Sequence, residues 1–170
     1  HPKSEYQRFA LIHEGDAVRG RSLFLDERRL ACGNCHATDG QGGKVGPDLF
    51  AVGDKFGRRE IIDSILSPSA TIADGYGAMT FVTKDGEEHL GIVKQATAES
   101  TELMGGDGRL IRLVNAKLKA RRPATISLHP EGLAHARTLE SFTGLLDSVF
   151  RCSPAGHSLL TRHGAPLGRL

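Results

Sequence analysis

CGNCH, residues 32–36, is the feature that most restricts what this chain can become. Two cysteines two residues apart, followed at once by a histidine, put three group-binding side chains on five residues. Three chemistries use such a pair. A structural zinc site needs four ligands, usually two such pairs or a Cys pair with a His pair. The chain offers one further cysteine, Cys152, and no second pair, and an odd count of three argues against a disulfide framework. A thioredoxin-like dithiol follows a strand and opens a helix in a βαβ setting, whereas the flanks here read as helical and glycine-rich. Covalent haem attachment has C-x-x-C-H as its signature. Its chemistry accounts for every position: Cys32 and Cys35 add to the two vinyl groups of a haem, and His36 is thereby held beneath the iron as proximal ligand.

The rest of the chain sets bounds. A length of 170 residues suits one domain, or one domain with a small insertion, and 39% hydrophobic residues supply a core. Twenty-two basic against 20 acidic residues leave a net charge of +2, which gives no electrostatic case for nucleic acid. No run of about 18 apolar residues occurs, so no transmembrane segment is expected. The chain begins at His1 without a signal peptide, and reads as a processed chain or an excised fragment.

Residues 1–15 read as a polar lead-in. Asp16 is a good N-cap for a short helix carrying Val18, Phe24 and Leu25. The glycine-rich DGQGGKVGPDL after the motif reads as a loop wrapped around something. Ile61, Ile62, Ile65 and Leu66 predict a helix over residues 58–66, ended by Ser67-Pro68. From about residue 78 to 115, short β-rich runs separated by Asp85-Gly86 and Asp107-Gly108 predict about four strands in an inserted antiparallel meander. KLKARR reads as a solvated connector rather than a docking patch for an acidic partner. GGDG is no phosphate cradle, because a strand follows it. A last helix is expected over about residues 134–150, and residues 151–170 read as a loose tail in which Cys152 is incidental.

The order of these motifs is informative. A helix, CGNCH, the loop GPDL at residues 46–49 and a later X-Pro segment resemble class I cytochromes c. More closely, GDAVRGRSLF, CGNCH, GQGGKVGPDL, SPSATIADGY, a β segment, SLHPEGL and a C-terminal helix resemble one family in order and spacing. It is the haem-binding domain at the C-terminus of large planctomycete- and verrucomicrobial-type membrane-bound dehydrogenase-like proteins. The resemblance covers about residues 15–150. It implies a mainly α class I cytochrome c-like fold with an inserted small antiparallel β-meander, α+β overall. It also implies one haem c domain over residues 16–150, and an electron-transfer role beside a propeller-like dehydrogenase region. Pro47 then stands behind His36 through its backbone oxygen, holding the second ring nitrogen.

On the far side of the iron the family pattern has Met before Pro, as in Ser-x-Met-Pro-x-Gly-Leu. This chain has His129 there. The expectation is His36/His129 ligation, and an imidazole in place of a thioether favours oxidised iron and a lower potential. The rivals are Met79, Met104 and His89 in the β segment, and His135 near the last helix. His13, His157 and His163 lie in the lead-in or tail. The expected function is a mono-haem c-type electron-transfer module rather than an enzyme. It passes single electrons from a dehydrogenase, fused or separate, to a downstream acceptor, and lies in the periplasm or otherwise outside the cytoplasmic membrane. The alternative is a haem protein with an open or displaceable sixth site, peroxidase-like or gas-sensing.

Overall fold

The computed structural model describes residues 1–26, 28, 30–38, 40–134 and 137–152. The helical elements are α1 (Lys3–Ile12), α2 (Ala17–Leu25), α3 (Cys32–Cys35), α4 (Val52–Lys55), α5 (Arg58–Leu66) and α6 (Leu139–Phe150). A two-residue ladder pairs β1 (Ala37–Thr38) with β2 (Gln41–Gly42). Between α5 and α6 run β3 (Ala78–Thr83), β4 (Glu88–Ala96), β5 (Ser100–Met104), β6 (Leu110–Val114) and β7 (Leu118–Pro123), with a 3₁₀ turn at Asn115–Lys117 before β7.

Local chemistry explains the helix starts. The Asp16 carboxylate accepts from Val18 N and Arg19 N, each at 3.0 Å, satisfying two orphan donors of α2. Glu60 reaches back to Gly57 N at 2.7 Å at the start of α5, and Ser67-Pro68 closes that helix as the sequence implies. Thr138 Oγ1 accepts from Ser141 N at 3.1 Å, so α6 begins at Leu139, about five residues later than periodicity alone suggests. Residues 1–15, which read as a lead-in, instead contribute α1. This helix buries only Tyr6 and Ala10, too few apolar positions to stand out as a stripe.

The helices share one core, built from Tyr6 and Ala10 of α1, Phe24 of α2, Ile61, Ile62 and Leu66 of α5, and Phe142, Leu145, Leu146 and Val149 of α6. α2 crosses α6 almost backbone to backbone. A methyl built on Gly20 would stand 1.9 Å from Gly144 O, and one on Gly15 would stand 2.3 Å from Gly144 N. A buried charge ties the crossing to the other helices. Asp147 of α6 is fully buried, accepts from Gly15 N at 2.6 Å and pairs with Arg58 of α5. Arg58 also donates to Ala10 O at 2.6 Å and His13 O at 2.9 Å.

The fold class departs from expectation. The fold is mixed α/β, with 35% helix and 24% strand among the described residues, and it is not a mainly α class I cytochrome fold. The β region is a five-stranded antiparallel sheet in the order β6-β5-β4-β3-β7. It encloses its own small core of Phe81, Leu103 and Leu113, with Met79, Ile111 and Leu118 packed on it. The four predicted strands and both Asp-Gly turns are present, with Gly86 and Gly108 at φ 95° and 79°. The fifth strand, β7, was hidden in KLKARR. It returns to pair with β3, Arg121 opposite Phe81 and Arg122 opposite Thr80. β7 is an edge strand, where Pro and a run of exposed Lys and Arg are tolerated, so its composition reads as a solvated connector.

The two cores meet at the loop that follows CGNCH. Lys94 of β4 donates to Lys44 O at 3.2 Å, and a methyl on Gly108 would lie 3.7 Å from Cγ2 of the buried Val45. The sheet therefore braces one side of that loop.

Candidate functional site

Ala31 enters the motif in the left-handed region, at φ 51°, a conformation that costs a non-glycine residue about 1–2 kcal/mol. It turns the chain sharply into the single helical turn of α3, which ends as His36 N donates to Cys32 O at 2.9 Å. The glycine-rich loop is laced onto this turn. Gly43 N donates to Gly33 O at 2.9 Å, Gly46 N to Cys35 O at 2.9 Å, and Leu49 N to Ala37 O at 2.8 Å. These bonds set Gly46-Pro47 directly against His36. The imidazole Nδ1 bonds Pro47 O at 2.8 Å, as the resemblance implied. Gly46 lies so close that an added methyl would stand 2.4 Å from His36 Cε1, so only glycine fits behind the ring. One nitrogen is thereby fixed as a donor to Pro47, which leaves Nε2 free to accept a bond or bind a metal.

His129 arrives from the other end of the sequence. Its ring centroid lies 6.0 Å from that of His36, with the planes 59° apart. An imidazole nitrogen binds a first-row metal at about 2.0–2.1 Å. With the ring centre about 1 Å behind that nitrogen, two imidazoles on opposite sides of one metal have centroids about 6 Å apart. The observed spacing is within about half an ångström of that requirement. Burial holds the His36 pKa below its usual value, partly opposed by the bond to Pro47. Burial, and then the neighbouring His36, hold His129 below its usual value too. Both shifts favour the neutral ring, the form that ligates a metal.

Two buried side-chain nitrogens lack a hydrogen-bond partner among the described residues: His129 Nδ1 and Arg137 Nε. Arg137, whose carbonyl accepts from Tyr6 OH at 2.6 Å, is also among the charges acting on Cys32. Both orphaned atoms thus flank the CGNCH segment. An unsatisfied buried polar atom costs about 1–3 kcal/mol, and such atoms mark places where a further group belongs.

The thiols discriminate between chemistries. Burial pushes the Cys32 thiol up to about 11, and raises that of Cys35 as well. A dithiol redox centre instead depresses one thiol to make a nucleophilic thiolate. No group of three or more His, Cys, Asp or Glu side chains is arranged to hold a metal ion among the described residues, which gives no support to a zinc centre.

The rival ligands lie in the sheet or at its edge. Met79 packs on the sheet's own core, Met104 ends β5 opposite Ile92, and His89 of β4 pairs with Glu87 at 3.5 Å. His13 stacks on Phe9 with centroids 4.0 Å apart. His135, His157 and His163 lie outside the described residues. Cys152 is buried at the end of α6, where its carbonyl accepts from Ala51 N, so it closes the helical core rather than trailing in a tail. Residues 153–170 of the expected tail lie outside the described residues. Sequence reasoning named Cys32, Cys35, His36, Pro47 and His129. It quoted the segments holding Gly46, Ser69 and Ser127 without giving those residues a role.

No helix among the described residues is long and apolar enough to cross a membrane. No protein-family model matches the chain, and no curated protein matches it.

Proposed function

We propose that this chain is a mono-haem c-type electron-transfer module, with Cys32 and Cys35 as thioether anchors and His36 and His129 as the two iron ligands. The observation that carries this reading is the 6.0 Å separation of two half-buried imidazoles, one of which belongs to the only C-x-x-C-H segment. The glycine cradle that holds the His36 ring in place fits the same group. Bound haem supplies one-electron ferric–ferrous chemistry.

The chain's own residues do the rest. Pro47 O accepts from His36 Nδ1, which fixes the tautomer, strengthens the other nitrogen as a ligand and keeps the ring from turning. Two protein ligands leave no open coordination position, which favours electron transfer over peroxidase or gas-binding chemistry. An imidazole at residue 129, where relatives of the resembling family carry Met, lowers the potential. The partners on this reading are a dehydrogenase donor, fused or separate, and a downstream acceptor. The compartment is the periplasm or another site outside the cytoplasmic membrane, where haem c is attached.

The test is expression with a haem c maturation system, followed by haem staining after denaturation and by optical and electron paramagnetic resonance spectra of the oxidised protein. Covalent staining is expected, with low-spin bis-imidazole signals that become high-spin in His129→Ala. Absence of staining sinks the haem reading. A high-spin wild type sinks the electron-carrier reading in favour of an open sixth site, and an unaffected variant removes His129 as ligand.

A further inference from the structure

His129 sits on no helix or strand, so something must hold its ring at a fixed place. Two hydrogen bonds in series fix the backbone that carries it. His129 N donates to Ser127 Oγ at 3.1 Å, folding residues 127–129 into a tight side-chain-capped bend. Ser127 N in turn donates to Ser69 Oγ at 3.2 Å, across 58 residues of sequence. Ser69 lies three residues past the end of α5, whose Ile61, Ile62 and Leu66 are anchored in the helical core. The bend is thus fastened to the same rigid body that carries CGNCH, because Cys32 packs on that core too. A third tie, from Lys3 Nζ to Ser67 Oγ at 3.3 Å and Glu131 at 3.9 Å, is solvent-exposed and contributes little.

We propose that Ser69 and Ser127 are positioning residues that hold the His129 imidazole opposite His36, and so set how readily the sixth ligand leaves. This rests on the haem reading above. It explains why two serines from distant segments, SPSATI and SLHPEGL, are brought together. It also places the mechanical control of the distal side in the strap after α5 rather than in the sheet.

The experiment uses the protein as purified from haem-maturing cells, as wild type, Ser127→Ala, Ser69→Ala and Ser127→Thr. Site-resolved amide hydrogen exchange reads the strap directly, with the β4 amides as an internal reference for global stability. The rate of cyanide binding to the ferric protein reads release of the intrinsic ligand. In Ser127→Ala the His129 amide exchanges faster while β4 does not, and cyanide binds about fivefold faster at equal haem content, the factor one ordinary hydrogen bond contributes. Ser69→Ala accelerates exchange at the Ser127 amide, and it decides the matter if Ser127→Ala fails to fold. Ser127→Thr, which keeps the hydroxyl, restores both readouts. Unchanged exchange at these amides overturns the strap, and altered exchange with unchanged cyanide kinetics overturns its role at the iron. A protein without covalent haem overturns the function above, and the amide exchange alone then decides the strap.

Discussion

Gly20→Ala separates local propensity from packing, because the two predict opposite signs. In an isolated helix, alanine is better than glycine by about 1 kcal/mol, so α2 considered alone is stabilised. In the folded chain the new methyl stands 1.9 Å from Gly144 O, 2.2 Å from Gly144 C and 2.7 Å from Leu145 N. Ordinary contact needs about 3.5 Å, so α2 and α6 must part by about 1.5 Å at their crossing. All three obstacles are backbone atoms, and no rotamer change moves them aside. Overpacking of this kind costs about 1–3 kcal/mol, and an obstacle that cannot yield puts the cost at the upper end. Parting the helices also loosens Phe24 and Leu145, which pack beneath the crossing. After subtracting the propensity gain, the variant loses about 2 kcal/mol. For a chain of this size that is a drop of about 4–8 °C in Tm. The assay is thermal and guanidinium unfolding followed by far-ultraviolet circular dichroism, with Gly77→Ala and Gly106→Ala as controls. Neither control methyl has an atom within 4 Å, and each should lie within about 0.5 kcal/mol of wild type. A Gly20→Ala protein as stable as wild type, or more stable, refutes the close crossing.

Asp147→Ala leaves the Arg58 guanidinium without its buried carboxylate and Gly15 N without an acceptor, so a loss of about 3–5 kcal/mol is expected in the same unfolding assay. Gly46→Ala drives a methyl into the His36 ring; displaced axial-ligand signals in the electron paramagnetic resonance spectrum are expected, with covalent haem staining retained. His129→Met should raise the midpoint potential in a redox titration, since a thioether stabilises the reduced iron; an unchanged potential argues that residue 129 is not a ligand. In protein prepared without haem, Cys32 at about 11 against an ordinary 9.0 holds about a hundredfold less thiolate at pH 8. Its alkylation by iodoacetamide should be slower by about that factor and should rise tenfold per pH unit until the pH nears 11. Ordinary reactivity at pH 8 contradicts the burial of that thiol.

Much of the site was legible because its parts are local. CGNCH is one helical turn, GPDL reaches His36 across eleven residues, and the caps at Asp16 and Glu60 act within three residues. Such short-range relations survive in any fold that lets the backbone close, so residue type and spacing alone determined them. The hairpins at Asp85-Gly86 and Asp107-Gly108 were legible for the same reason. What only the tertiary structure decided is long-range. β7 is a strand because β3 needs a partner on its free side, and nothing inside KLKARR announces that. α1 is a structural helix because Tyr6 and Ala10 fill space left by α5 and α6. These two returns convert an expected helical domain with an inserted meander into a mixed structure with two cores. The same holds for His129. The sequence nominated His129 by its place before Pro130, but its distance from His36 depends on Ser127, Ser69 and the packing of α5. Hydrogen bonds and core contacts between residues tens of positions apart leave no periodic trace in a sequence, and only a folded chain brings them together.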